Sequence, residues 1–554
     1  MLNFTRYKKM PVIDLKTRQW PNKEMEKAPI WCSVDLRDGN QALIEPMVVE
    51  EKIEFFNLLV KLGFKEIEVG FPSASQIEFD FLRQLVDRKL IPDDVVIQVL
   101  VQCREHLIKR TFEALVGVKK AIVHIYNSTS ILQRDVVFNM NKEEIKQIAV
   151  EGAKLVKEYA NTFDGEIILE YSPESFTGTE VEYALDICHA VMDVWEPSVD
   201  NKIIFNLPAT VETNTPNVYA DQIEWMHTHF KNRETIILSI HPHNDRGTGI
   251  ASSELALLAG ADRVEGTLFG NGERTGNVDV LTLAFNMFSA GINPNLEIEN
   301  INEIIEVYER CCKLPVHMRH PYAGKLVFTA FSGSHQDAIN KGIRAMHERK
   351  GYFWEVPYLP IDPSDIGRKY EPIVRINSQS GKGGVAFIME TCFGYKLPKS
   401  MHKEFADIIQ KISERQGEVA PEQIMEEFKT SYIDKKEPFH FIKCKLEDLS
   451  DGEGAFDTKA LIEYTKDGVL SSFEATGNGP IDAALRGIQN ESGLSLKILD
   501  YSEHALAEGS HAKAAAYVHI LNKETGKTVF GVGVSSNITR ASIRAIFSAI
   551  NQII

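Results

Sequence analysis

Short runs rich in valine, isoleucine and leucine alternate with longer amphipathic segments between about residues 30 and 290. Each short run is almost continuously apolar, as expected of a strand that is buried on both faces of a parallel sheet. In the segments between them the apolar residues recur at intervals of three and four, which indicates helices. The eight predicted strands read IWCSVDL, FKEIEVGF, VVIQVLV, KAIVHIY, EIILEYS, KIIFNLP, TIILSIH and DRVEGTLFG.

Eight strands, each followed by a helix, over roughly 260 residues match the strand count and the length of a (β/α)8 TIM barrel. An open, doubly wound sheet gives the same alternation, but no glycine-rich phosphate turn follows the first strand here. We therefore predict an α/β fold whose barrel occupies residues 30–309. Residues 1–29 are expected to form an extended N-terminal flank.

The pattern changes beyond the barrel. Residues 310–437 are interpreted as a helical linker region that completes the active site. From residue 438 to residue 554, alternating strands are followed by two helices after similar turns, at residues 478–490 and 536–551. Because the strands and helix of one half recur in the other, we predict a C-terminal α+β domain with a duplicated βββα unit.

Composition and charge narrow the functional classes. The 554 residues are too many for one hydrophobic core, and the formal net charge of −17 disfavours nucleic acid or an anionic membrane as a partner. No apolar run approaches the roughly 18 residues of a membrane span. The first twenty residues lack the apolar core of a signal peptide, and the seven cysteines form no C-x-x-C pair. We expect a cytoplasmic protein with reduced thiols.

Polar residues collect where the predicted strands end, which is where a barrel of this kind holds its active site. The first strand ends in Arg37-Asp38, and the seventh ends in HPHND, which contains His241 and His243. The other polar endings are YNST after the strand with His124, YSPES with Glu174, NLPATVE with Asn206 and Thr210, and GNGERTGN after strand eight.

Three of these residues predict a metal site. His241 and His243 are two positions apart on a strand, so both imidazoles point to the same side. Strands one and seven contribute to the same interior layers of a barrel, so Asp38 can reach the same point. One carboxylate and two neutral imidazoles would bind Mg²⁺, Mn²⁺ or Zn²⁺ and leave positions for substrate oxygens. Arg37 beside them would stabilise negative charge on a polarised ketone oxygen.

Five motifs together, LRDGNQ, SPESF, NLPATVE, HPHND and GNGERTGN, resemble those of the 2-isopropylmalate synthase family. The segments SGSHQDAINKG and VPYLPIDP extend the resemblance, which runs from about residue 30 to the C-terminus. It implies a metal-dependent Claisen condensation of the co-substrate acetyl-CoA with 2-oxoisovalerate and water, giving 2-isopropylmalate and CoA in leucine biosynthesis. It also implies a homodimer and feedback inhibition by leucine. Among the three cations we expect Mg²⁺ first.

The resemblance assigns roles to individual residues. Asp38, His241 and His243 would ligate the metal, with Asn277 at or beside the coordination sphere, and Arg37 would stabilise the oxyanion. The groups that would handle protons are Glu174, His335 and Tyr358. Thr210 would hydrogen-bond the keto-acid carboxylate, and the pocket for its side chain would consist of Leu100, His124, Ser172, Asn206 and Pro208. The leucine site would include Asn478, Gly479, Tyr501, Ala505 and Ala512.

Rival functions exist within and outside this family. Citramalate synthase acts on pyruvate and homocitrate synthase on 2-oxoglutarate, and a few methyl groups separate keto acids by only about 1–3 kcal/mol. Homocitrate synthase would require a cationic group for the second carboxylate, and none lies among the assigned pocket positions. A metal-dependent aldolase, lyase or carboxyltransferase on the same barrel is a further alternative. The last is a leucine sensor without catalysis.

Overall fold

The computed structural model describes two compact units. One consists of Met1–Phe328 with Pro360–Lys369, and the other of Thr329–Leu359 with Tyr370–Ile554. Within them, the described residues are Arg6, 12–330, 333–349, 353–370, 382–416, 419–433, 435–449, 458–506 and 512–554. The rest of the predicted N-terminal flank, residues 1–5 and 7–11, lies outside the described residues.

Eight parallel strands of the first unit close into a barrel, because each strand pairs with the next and the eighth pairs with the first. The predicted barrel is therefore confirmed. Its strands are β1 (Ile30–Ser33), β2 (Glu66–Gly70), β3 (Val96–Gln102), β4 (Lys120–Ser128), β5 (Glu166–Glu174), β6 (Ile203–Ala209), β7 (Ile236–Pro242) and β8 (Arg263–Gly266). The main helices are α1 (Val49–Lys61), α2 (Gln76–Asp87), α3 (Glu105–Leu115), α4 (Lys142–Ala160), α5 (Val181–Trp195), α6 (Pro216–His229), α7 (Gly249–Leu258), α8 (Val280–Ser289) and α9 (Ile301–Cys312).

The first strand is shorter than predicted. It ends at Ser33, and Asp35–Gly39 form a turn of π-helix in which the Val34 carbonyl accepts the Asp38 amide at 2.8 Å. The prediction that the strand itself ends in Arg37-Asp38 is therefore wrong. Val34 and Leu36 are buried like the residues of a strand, which is why the hydrophobic pattern extended the strand too far.

A buried carboxyl group fastens this turn to the end of β8. Asp35 accepts hydrogen bonds from the Ser33 hydroxyl at 2.8 Å and from the Leu268 amide at 3.0 Å. Burial outweighs these hydrogen bonds and raises the Asp35 pKa to about 8. The turn that carries Arg37 and Asp38 is thus tied to the last strand of the barrel.

The interior of the barrel contains charged residues beneath its mouth. Arg263 is fully buried and donates to Gln98 at 2.6 Å, to Ser239 at 2.8 Å and to Glu265 at 2.9 Å. It also pairs with Glu66. A buried guanidinium requires such partners, because an unpaired charge is costly in a low-dielectric interior. Strands β2, β3, β7 and β8 thus share a polar layer.

The N-terminal flank is anchored to the barrel. Residues Trp20–Asn22 form a short 3-10 turn, and Arg18 makes two hydrogen bonds of 2.7 Å to the buried Asp221 carboxylate on α6. The Trp20 indole also donates to Asp221 at 2.9 Å. This part of the flank is thus held by charged hydrogen bonds.

The second unit contains the predicted duplication. Two three-stranded antiparallel sheets, in the orders β11-β10-β9 and β12-β13-β14, are each followed by one helix. The elements are α10 (Gly333–Arg349), α11 (Lys382–Phe393), α12 (His402–Gln416), α13 (Pro421–Tyr432), β9 (Phe439–Asp448), β10 (Thr458–Lys466), β11 (Val469–Gly477), α14 (Pro480–Ser492), β12 (Leu496–Ala505), β13 (Ala514–Asn522), β14 (Thr528–Ser535) and α15 (Ile538–Ile553). None of the described helices combines the length and the apolarity needed to cross a bilayer.

The raised pKa of Asp35 predicts a pH-dependent stability. The folded state favours the protonated carboxyl, so Asp35 destabilises wild-type protein increasingly as pH rises from about 4 to about 8. Asp35→Asn cannot ionise, so its melting temperature relative to wild type should rise with pH across this range. Thermal unfolding at pH 5.5 and 8 measures the difference, and an offset that is the same at both values contradicts the prediction.

Candidate active site

A cavity of about 240 Å³ lies at the carboxyl ends of the barrel strands. Its lining includes eleven residues that were predicted from sequence: Arg37, Asp38, Leu100, His124, Ser172, Glu174, Asn206, Pro208, Thr210, His241 and His243. Five others were missed: Gln41, Phe71, Tyr126, Glu273 and Arg274. Four of these five stand within the quoted motifs LRDGNQ, YNST and GNGERTGN, and Phe71 ends the predicted strand FKEIEVGF, so the sequence pattern had already marked these positions.

The three predicted metal ligands are buried and lie together. Asp38 Oδ2 is 3.1 Å from His241 Nε2 and 3.7 Å from His243 Nε2. Ligand atoms of the three residues all fall within 4.8 Å of one another. The π-helical turn brings Asp38 to two histidines at the end of β7, as the sequence spacing predicted.

The chemical state of the histidines fits metal ligation. Burial and the neighbouring His241 lower the pKa of His243 to about 4, so its imidazole is neutral at pH 7. For His241, burial is outweighed by hydrogen bonds to Asp38 and Glu265, which raise the pKa to about 9. A cation would replace the proton on its Nε2, because metal binding and protonation compete for that lone pair.

Asn277 supplies a further test of the site. It pairs with His243 in an isolated antiparallel bridge, and its amide nitrogen donates to the Asn271 carbonyl at 3.1 Å. Its Oδ1 is buried without a hydrogen-bond partner in the described parts of the chain. A buried acceptor left unpaired is costly, and a cation beside the histidines would satisfy it. The donor set therefore fits a divalent metal.

Arg37 is held rigidly beside the cluster. Its Nη1 donates to Asp38 at 2.7 Å and its Nε donates to Glu68. Glu68 also belongs to a second buried acidic group, with His124 and Glu265. Arg37 and Arg263 already pair with the two carboxylates of that group. Its charge is thus balanced by arginine, which distinguishes it from the Asp38 cluster.

Thr210 and Glu174 also contribute polar groups to the cavity lining. The Thr210 hydroxyl accepts the Ser175 amide at 2.9 Å and donates to no described residue, so its own proton is available to a ligand. Glu174 accepts a hydrogen bond from the Ser128 hydroxyl at the mouth of the barrel. The structure therefore places a hydroxyl donor and a carboxylate at one side of the cavity.

His335 and Tyr358 belong to the second unit. Their rings stack on one another with centroids 4.2 Å apart, and both side chains are exposed. Tyr358 has a φ of +66°, a left-handed conformation that is uncommon for an aromatic residue. Two of the three residues to which the resemblance assigns proton handling are thus neighbours of each other.

The predicted leucine residues fall into two groups. Asn478 and Gly479 line a cleft of about 660 Å³ beside the start of α14. Tyr501 and Ala505 lie on β12, and Ala512 precedes β13. Of the described residues, these three are not in the lining of that cleft. The Tyr501 hydroxyl instead lies 2.8 Å from the Ser542 hydroxyl.

Family models match the chain in three consecutive parts. Residues 28–307 match the HMGL-like model, residues 325–390 match the alpha-isopropylmalate synthase post-catalytic domain-like model, and residues 418–554 match the LeuA allosteric (dimerisation) domain. These boundaries follow the barrel and the duplicated βββα units.

Curated relatives match the chain over its whole length. It is 57% identical to a 2-isopropylmalate synthase of Clostridium acetobutylicum, with 99% of both chains covered. It is 53% identical to a protein of that name from Brucella suis biovar 1, again with 99% of both covered. A third, from Agrobacterium fabrum, is 53% identical, with 99% of this chain and 98% of the relative covered.

The loop that carries Asn277 predicts a sharp difference between two glycine substitutions. Gly276 has a φ of +89°, and an added Cβ would lie 1.8 Å from the Gly270 carbonyl oxygen. Gly276→Ala should therefore displace Asn277, lower the melting temperature and weaken Mn²⁺ binding. Gly247→Ala is the control, because its φ is +74° but no described atom lies within 4 Å of the added Cβ. Its strain should cost only about 1–2 kcal/mol. Equal losses in both variants, measured by thermal unfolding and Mn²⁺ titration, would contradict the role of Gly276 in placing Asn277.

Proposed function

The chain belongs to the 2-isopropylmalate synthase family, and we propose that Asp38, His241 and His243 hold the divalent cation on which its reaction depends. The enzyme is an acyltransferase that condenses acetyl-CoA with 2-oxoisovalerate and water to give 2-isopropylmalate and CoA. The observation that supports the metal most directly is the convergence of a buried carboxylate and two imidazoles at the cavity.

The cation would act as a Lewis acid toward the keto-acid carbonyl, and Asn277 Oδ1 would complete its ligand set. The protein supplies the rest of the charge stabilisation. Arg37 is fixed by two carboxylates and stays protonated, so it can stabilise alkoxide character on the ketone oxygen. Thr210 would donate its hydroxyl proton to the keto-acid carboxylate.

The cavity suits a keto acid with a small apolar side chain. Leu100 and Pro208 contribute apolar surface to its lining, and its volume is about 240 Å³. Arg274, which was not predicted as a site residue, is the cationic residue that a second carboxylate would require. It is paired with Asp245 and donates to the Thr210 carbonyl. This pairing favours 2-oxoisovalerate over 2-oxoglutarate.

Proton transfer is assigned to three groups. Glu174 lies in the cavity lining, where a carboxylate can remove a proton from the thioester methyl group. His335 and Tyr358 form a stacked pair, and we assign them to the same proton chemistry and to the hydrolysis of the thioester. A loss of turnover on Glu174→Gln with retained keto-acid binding would support the first assignment.

The function is tested by CoA release with a panel of keto acids. With Mg²⁺ present, 2-oxoisovalerate should give the highest kcat/KM, ahead of pyruvate and 2-oxoglutarate. Pyruvate as the best substrate would overturn the assignment in favour of citramalate synthase. Absence of turnover with every keto acid and either Mg²⁺ or Mn²⁺ would favour a leucine sensor.

Removal of Asp38 should abolish catalysis. Asp38→Ala loses a metal ligand, so kcat/KM should fall by roughly a thousandfold or more, because a bound metal supplies several kcal/mol of charge stabilisation. Asp193→Ala removes an exposed carboxylate on α5 and serves as the matched control. Normal turnover in Asp38→Ala would refute the proposed ligand set.

We propose that the LeuA allosteric (dimerisation) domain binds leucine, with Asn478 and Gly479 at the binding turn, and pairs two copies of the chain. Gly479 has a φ of 174°, which any residue adopts, and no described atom lies within 4 Å of an added Cβ. An aspartate can therefore be placed there without steric conflict.

Gly479→Asp should leave turnover intact and relieve inhibition by leucine, because its carboxylate would repel that of the ligand at the start of α14. Val469→Asp adds the same charge at an exposed position on β11 and should keep the inhibition. Turnover measured against leucine concentration separates the two variants. Inhibition that persists unchanged in Gly479→Asp would refute the assignment of the turn.

A further inference from the structure

Eight side chains at the mouth of the barrel form a closed ring of hydrogen bonds and ion pairs. The ring joins the metal ligands to the floor of the substrate cavity, and six strands and the π-helical turn contribute to it. In order around it are Arg37, Glu68, His124, Ser172, Asn206, Glu265, His241 and Asp38. Six of the eight line the cavity, and the other two are the buried carboxylates Glu68 and Glu265. Glu265 was not predicted to have a role.

Glu265 has four hydrogen-bond partners among the described residues, more than the other carboxylates of the ring. It is fully buried, and its Oε1 accepts from Gln98 at 2.8 Å and from Arg263 at 2.9 Å. Its Oε2 lies 2.8 Å from His241 Nδ1 and accepts from Asn206 Nδ2 at 3.1 Å. One oxygen therefore faces the polar layer, and the other faces the active site.

The contact with His241 decides which nitrogen can bind a metal. A carboxylate accepts hydrogen bonds, so Nδ1 carries a proton where it faces Glu265. Once the proton on Nε2 is lost, the lone pair of the neutral imidazole lies on Nε2, on the side of Asp38, 3.1 Å away. Carboxylates behind metal-binding histidines commonly set the tautomer and ring orientation in this way.

The contact with Asn206 fixes the other branch of the ring. Both amide hydrogens of Asn206 are used, one toward Glu265 and one toward the Ser172 hydroxyl at 3.0 Å. Asn206 Oδ1 is buried and has no hydrogen-bond partner among the described residues. Donation to Glu265 and Ser172, rather than any bond to Oδ1, therefore holds the orientation of this cavity amide.

We propose that Glu265 is a positioning residue that aligns the metal ligand His241 and the cavity amide of Asn206 through one carboxylate oxygen. This inference rests on the proposed metal site. Through these two contacts Glu265 acts on both cation affinity and keto-acid binding, although it ligates neither the cation nor the substrate. It is the point of the ring at which the two functions meet.

Glu265→Gln tests this role because an amide has donors on one side only. If its nitrogen faces His241, the imidazole must move its proton to Nε2 and lose the lone pair for the metal. If its nitrogen faces Arg263 and Gln98, donors meet donors in the polar layer. Either arrangement disturbs the alignment while preserving the volume of the side chain.

Glu66→Gln is the matched control. Glu66 pairs with the Nε of Arg263, so its substitution removes a carboxylate from the same guanidinium. It makes no contact with His241 or Asn206 in the described structure. Any effect that arises only from loss of charge around Arg263 should appear equally in both variants.

The measurements are Mn²⁺ affinity and steady-state kinetics with 2-oxoisovalerate. Glu265→Gln should weaken Mn²⁺ binding by about 10–100-fold and raise the KM for the keto acid at saturating Mn²⁺. Glu66→Gln should leave both quantities close to wild type. Unchanged Mn²⁺ affinity in Glu265→Gln, or equal weakening in both variants, overturns the inference. Absence of Mn²⁺ binding in wild type would instead refute the proposed metal site.

A second measurement keeps the inference testable if Glu265→Gln does not fold. In Mg²⁺-loaded wild-type protein labelled with ¹⁵N-histidine, His241 should carry its proton on Nδ1, with its signal assigned by comparison with His241→Asn. A proton on Nε2 of His241 in that sample overturns the proposal.

Discussion

The balance of buried charge at the mouth of the barrel is the constraint on which the active site depends. Arg37 and Arg263 lie among Asp38, Glu68 and Glu265, and none of these groups is stable in a low-dielectric interior without its partners. Because the partners come from different strands, the barrel must close before the charges are compensated. The same ion pairs that stabilise the active site therefore also require the closed barrel.

The π-helical turn after β1 shows how local backbone geometry serves this balance. It places Arg37 and Asp38 side by side, with the guanidinium toward β2 and the carboxylate toward β7. Asp35 fastens the turn to the backbone just beyond β8. A regular strand would send consecutive side chains to opposite faces of the sheet, and the pair could not then share one site.

Much of this arrangement could be predicted from sequence. The spacing of His241 and His243 and the polar strand endings located the cluster of Asp38, His241 and His243. They could do so because the two-residue period of a strand and the shared interior layers of odd-numbered barrel strands are simple geometric rules. The π-helical turn could not be predicted, since the buried Val34 and Leu36 continue the apolar pattern of β1 into it. Glu265 was missed for a different reason: it stands within the predicted strand DRVEGTLFG rather than at its polar ending, and most of its partners lie on other strands. The stacking of His335 and Tyr358 also depends on tertiary contacts that no local pattern encodes.

Some residues of the cavity lining belong to the hydrogen-bonded ring and others contribute apolar surface, and this difference has a consequence for the evolution of this fold. The ring residues depend on one another, so a change at one of them disturbs several partners at once. Leu100 and Pro208 contribute only hydrocarbon surface to the same cavity. A descendant of this enzyme could therefore acquire specificity for a larger or smaller keto acid by substitutions at those two positions, while the residues of the ring stayed the same.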